Sequence, residues 1–136
     1  MLKALLLISF LFSISAQSLL AAEEEEAVSK TSAYVSLGDS MVLNLSNDNR
    51  RLTFLQVKAD ILIADADAED LIKTHIPAIR HELIVLLSEQ KAGDMKMASK
   101  REEIRKIATA QVQALMQELA DSEEVTDILF SSFLVQ

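Results

Sequence analysis

From Arg51 to Ala64 the chain reads R-L-T-F-L-Q-V-K-A-D-I-L-I-A, and within it polar and apolar residues alternate one by one. Leu55, Val57, Ala59, Ile61 and Ile63 fall on one face of an extended chain, and Gln56, Lys58 and Asp60 fall on the other. A helix would scatter these residues around its axis, so the stretch predicts a long strand with one buried face. Such a strand needs partner strands beside it and a second layer over its apolar side. Tyr34–Leu45 supplies one partner, extended with a break at Gly38-Asp39. Ser46-Asn47-Asp48-Asn49, a run of turn formers, predicts a hairpin between the two segments. Val125–Gln136 supplies another. Strict alternation puts Val125, Leu129, Phe133 and Val135 on one side of it, with Asp127 and Ser131 interrupting. Thr126, Ile128, Phe130, Ser132 and Leu134 fall on the other. Large apolar groups on both sides suit a strand covered on part of each face, held by pairing with Arg51–Ala64.

The second layer comes from helices. Asp65-Ala66-Asp67-Ala68-Glu69-Asp70 resembles the start of a calcium loop, but no glycine stands at its sixth position and Ile76 stands at its twelfth. Asp65 or Asp67 is instead expected to cap a helix whose first turn is acidic. That helix carries Ala68, Leu71, Ile72, Ile76, Ile79, Leu83, Leu86 and Leu87 as an apolar stripe, with a kink or split expected where Pro77 interrupts it. Gln90–Met97 reads as a loop, and Ser99-Lys100-Arg101-Glu102 as a capping box opening a second helix. The buried face of that helix is expected to hold Ile104, Ile107, Ala108, Gln111 or Val112, Leu115 and Leu119, with Asp121-Ser122 ending it. The order β-β-α-α-β indicates an α+β domain: a small antiparallel sheet with two helices packed on it.

At the N-terminus, Lys3 precedes an apolar run, Ala4–Ile14, relieved only by Ser9 and Ser13. This is the layout of a secretory signal, and small residues for cleavage occur at Ala16, Ala21 and Ala22. Read continuously, Ala4–Ala22 is also long enough to cross a bilayer, so residues 1–22 are a cleaved signal peptide or a retained anchor. Lys3 inside and Glu23–Glu26 outside give export in both cases. Residues 23–33 read as an acidic linker, and residues 34–136 as the exported domain. About 115 residues remain beyond the leader, enough for one modest core.

The chemical inventory is thin. The chain has no cysteine, so it has no thiol nucleophile and no thiolate metal site. His75 and His81 lie about 600° apart around a helix and cannot share a metal. No serine sits in a nucleophile elbow, and two glycines cannot build a phosphate-cradling loop. Met95-Lys96-Met97 has neither His nor Cys beside it and reads as a segment packed on the core. With 13 Lys plus Arg against 21 Asp plus Glu, the net charge is −8, which disfavours nucleic acid as a partner. No catalytic, cofactor-binding or metal-binding residue is expected.

Four segments in order resemble the FliL family of flagellar basal-body proteins. Tyr34–Leu45 resembles the family's first strand, and Arg50–Ile63 the strand in which an L-x-V run follows basic residues. Ile76–Ser88 resembles its helix, with Pro77, Ile79, Arg80, Leu86, Leu87 and Ser88 in matching places. Ile128–Gln136 resembles its closing F-x-x-F-x-x-Q through Phe130, Phe133 and Gln136. The resemblance implies a stomatin-type (SPFH) fold and a non-enzymatic periplasmic protein, with no cofactor, that supports stator function, motility and swarming. Its implied partners are the flagellar stator complex, basal-body ring proteins, the inner membrane if the leader is retained, and further copies of itself in a ring. Pro77, Arg80, Phe130, Phe133 and Gln136 are then interface candidates. Ser99 stands where the family favours a glycine. The alternative is a secreted periplasmic adaptor or scaffold of the same family without a motility role.

Overall fold

The computed structural model describes residues 30–48 and 51–136. The leader, Glu23–Glu26 and Arg50 lie outside the described residues. The expected long strand is β3, Thr53–Ile63, and it is the axis of a four-stranded antiparallel sheet. Its Leu55, Val57, Ala59, Ile61 and Ile63 are all buried, as the alternation requires.

On one side of β3 lie β1, Ala33–Ser36, and β2, Met41–Leu45, end to end. They act as one strand broken at Gly38, whose φ of +89° suits only a residue without a Cβ. The β2–β3 hairpin forms as expected, from Leu45 opposite Thr53 to Met41 opposite Val57. On the other side of β3 lies β4, Val125–Val135, antiparallel and running along nearly its whole length.

The face of β4 differs from strict alternation. Its register slips at two places, leaving Thr126 and Ser131 as extra residues, so two β-bulges interrupt it. Ile63, Ile61, Ala59, Val57 and Leu55 consequently face Val125, Ile128, Phe130, Phe133 and Val135. Ile128 and Phe130 thereby join the side of Val125 and Phe133, and Leu129 moves to the opposite side. Each bulge reverses the sense of alternation, which no reading of period 2 can anticipate.

The helices cover this shared face. Asp65 opens a 3-10 turn over Ala66–Ala68 by accepting the Asp67 N–H at 3.0 Å, and Glu69 and Asp70 stand in the first turn of α1, Glu69–Ser88. Ile72, Ile79, Leu83, Leu86 and Leu87 are buried, whereas Leu71 is exposed. Of the kink or split expected at Pro77, the split does not occur: α1 is one helix through it. Pro77 and Lys73, whose carbonyl loses its N–H partner, both lie on the exposed side, where water can satisfy that carbonyl.

Gln90–Met97 is not a plain loop, since Ala92–Met95 forms a short helix, α2, with Met95 buried in the core. Its entry is tied to the β2–β3 connection, Ala92 N–H donating to the Ser46 carbonyl at 2.9 Å. The capping box does not form either. The third long element, α3, spans Ala98–Ala120 with Met97 as its cap residue, because the chain leaves α2 already turned at Lys96-Met97 and enters the helix before Ser99. Asp121, in the left-handed region at φ 49°, ends it.

The buried face of α3 is rotated from the expected one. Ile104, Ala108, Thr109, Val112 and Met116 point into the core, while Ile107 is 41% exposed and Leu119 46% exposed. The ridge against the sheet is thus the i, i+4 row from Ile104 to Met116. The polar Thr109 lies on the adjacent row and is buried because it serves β4.

Candidate functional site

Residues on α3 at four-residue spacing reach the free edge of β4. Arg105 Nη1 donates to the Ile128 carbonyl at 3.0 Å, Thr109 Oγ1 accepts the Ile128 N–H at 3.1 Å, and Gln113 Nε2 donates to the Val125 carbonyl at 2.9 Å. An edge strand leaves its outward N–H and C=O groups unpaired, and these three side chains satisfy them over Val125–Ile128. Asp127 completes the seam. Its Oδ1 accepts from Arg105 and, at 2.9 Å, from the Thr109 hydroxyl. Arg105 is also paired with Glu102 at 2.8 Å.

Burial pushes the Asp127 carboxyl up, but hydrogen bonds from Thr109, Arg105 and the Ile128 N–H outweigh it and leave the group below its usual range. The Arg105 guanidinium is raised above its ordinary value by the hydrogen bond to Glu102, against its burial, with Asp127 adding to the rise. A carboxyl depressed in the fold stabilises it above the unfolded pKa of about 4, and that contribution is lost as pH falls through the folded value. Acid titration of thermal stability should therefore show a loss below about pH 4 that Asp127→Asn reduces. An unchanged acid limb in the variant would remove Asp127 from the account. Thr109→Val keeps the shape but takes one acceptor from the Ile128 N–H and a donor from Asp127. It is expected to cost on the order of 1–2 kcal/mol in denaturant unfolding.

Beyond Ile128 the seam opens into a groove. Phe130 and Phe133 form its floor, their ring centroids 5.4 Å apart and tilted by 48°. Ala98, Arg101, Glu102 and Arg105 wall a cavity of about 240 Å³ over them. The Arg101 guanidinium lies 5.8 Å from the centre of the Phe133 ring, a cation–π contact. Its Nη1 approaches the Met95 and Lys96 carbonyls at 3.5 and 3.4 Å. It makes no ion pair with a described carboxylate.

Of the five interface candidates, the fold brings Phe130 and Phe133 into ring contact and sets Pro77 and Arg80 three residues apart on α1. Gln136 continues the ladder, its N–H donating to the Phe54 carbonyl at 2.9 Å and its carbonyl accepting the Phe54 N–H at 2.7 Å. Arg80 lies at the opposite edge of the sheet, where its Nη1 donates to the Leu37 and Asp39 carbonyls at 2.8 and 2.7 Å and clasps the Gly38 break. Pro77 is exposed on α1. Arg80→Ala should loosen the β1–β2 break, seen as faster amide exchange at Leu37–Met41, and cost about 1–3 kcal/mol. Arg101, Arg105, Thr109 and Asp127 were absent from the expected site. The spacing of Arg105, Thr109 and Gln113 on one helical row was the available signal, but it does not say which strand lies opposite.

Among the described residues no helix is long and apolar enough to cross a membrane. A model of the family described as "Flagellar basal body-associated protein FliL" matches residues 34–136, which takes in the sheet and all three helices. No curated protein matches the sequence.

Proposed function

The chain belongs to the FliL family of flagellar basal body-associated proteins, and from this premise we propose that it acts as an exported scaffold of the motor that supports stator function and swarming. Its role in motility is non-enzymatic, as in the family. The observation that carries the reading is the family match over residues 34–136, which covers strands, helices and the Phe130–Phe133 groove together. Residues 1–22 anchor the domain in the inner membrane or are removed on export, and residues 23–33 link them to the periplasmic domain. The domain has a stomatin-type (SPFH) arrangement and assembles as a ring of copies contacting the stator complex and basal-body ring proteins. Arg80 and Pro77 mark one candidate face of such a contact, and Phe130, Phe133 and Gln136 another.

Deleting the gene is the direct test. The expected result is impaired swarming, together with motor localisation of a fluorescently tagged, complementing copy. Normal swimming and swarming with diffuse fluorescence would refute the motor role. N-terminal sequencing of the protein recovered from cells separates the two leader fates. An intact Met1 goes with the anchored scaffold, and a start near Glu23 with a released one.

A further inference from the structure

The edge of β4 is protected along Val125–Ile128 and, among the described residues, open along Leu129–Val135. Arg105, Thr109 and Gln113 occupy the outward backbone groups at Val125 and Ile128, and no hydrogen bond from α3 reaches the β4 backbone beyond Ile128 among the described residues. Among the described residues β4 pairs only with β3, so none of them covers the outer edge of Leu129–Val135. Free edges accept an added strand, whose backbone supplies affinity and whose alternate side chains enter neighbouring pockets. Here a pocket lies alongside, with Phe130 and Phe133 as its apolar floor and Arg101 at its wall. Arg101 has no carboxylate partner in the described chain, although it is held over Phe133.

The charges around the groove narrow the choice of partner. Lys100, Arg105 and Lys106 are paired with Glu102, Glu103 or Asp127, so of the two cations lining the groove Arg101 is the one left to meet a partner of negative charge.

We propose that Leu129–Val135 and the Arg101–Phe133 groove form a docking site for an extended segment of another protein in which apolar residues alternate with Asp or Glu. The segment adds to the β4 edge, places an apolar side chain on Phe130 and Phe133, and pairs a carboxylate with Arg101. The site is independent of whether the leader is retained.

The test is an amide-resolved NMR titration of the isotope-labelled full chain, purified in a mild detergent. The probe is a capped peptide of alternating Val and Glu about eight residues long, the length of an ordinary strand, with the Val/Lys peptide as its counterpart. The Val/Glu peptide is expected to shift the amides of Leu129–Val135 in a saturable manner, and the Val/Lys peptide is not. Arg101→Glu, with an otherwise unchanged spectrum, should weaken binding by about tenfold. Should that variant not fold, the wild-type titration still decides, because affinity must fall as salt is raised. Equal binding of both peptides, shifts lying elsewhere, or no saturation would overturn the proposal. So would concentration-dependent self-association of the chain through the same amides, which would make a second copy the occupant.

Discussion

Removing Phe130–Gln136 is expected to abolish the folded domain. These residues hold β3 along Leu55–Ala59, the central stretch of the sheet, through the pairs Leu55–Val135, Val57–Phe133 and Ala59–Phe130. They also include the backbone pair of Gln136 with Phe54. Without them, one edge of a strand with a fully buried inner face would open to water, and Phe130, Phe133 and Val135 would be lost from their packing against the core. A large apolar side chain contributes about 1.5–3 kcal/mol when fully buried, and these three, half-buried, each contribute part of that. Adding the lost ladder gives a total comparable with the roughly 5–15 kcal/mol that holds an ordinary domain together. Far-UV circular dichroism and an amide spectrum of the truncated chain provide the check. Cooperative unfolding near the wild-type midpoint would show that β4 is an appendage and not part of the core.

Ile61→Ala should have the next largest effect. Ile61 is fully buried and stands at the centre of the sheet, with Val35 opposite on β1 and Ile128 opposite on β4. Its shortening leaves a cavity that three paired strands cannot close by shifting, because each backbone is held in register. The expected cost is about 2–5 kcal/mol. For a domain of this size that lowers the melting midpoint by roughly 10 °C or more. Leu119→Ala on the exposed side of α3 is the control and should change stability by less than about 1 kcal/mol. Equal losses in the two variants would contradict the rotated face of α3.

The two helices show how far local pattern reaches. The stripe of α1 was legible because Ile72, Ile79, Leu83 and Leu87 leave little choice of face, and all four are buried. On α3 the apolar residues are spread widely enough that Ile107 and Leu119 competed with Met116 for the inner side. The seam with β4 decided between them. Turning the helix to bury Ile107 and Leu119 would carry Arg105, Thr109 and Gln113 away from Ile128 and Val125 and leave those backbone groups unpaired. The candidate site was half legible for the same reason. Phe130 and Phe133 stand out in the sequence, whereas Arg101, Arg105 and Asp127 gain meaning only from the strand or helix that faces them.

What the sequence determined by itself was the central strand, because alternation along Leu55–Ile63 is a property of neighbouring residues and survives any context. It also determined the hairpin, the acidic start of α1 and the ordered motifs of the FliL family. Tertiary structure alone decided the faces of β4. The bulges at Thr126 and Ser131 let Val125, Ile128, Phe130, Phe133 and Val135 meet the buried residues of β3, a match set by pairing between segments about seventy residues apart. It decided likewise which part of that strand remains open. Burial and hydrogen bonding act between distant parts of the chain, so the phase of an element is chosen by what it packs against.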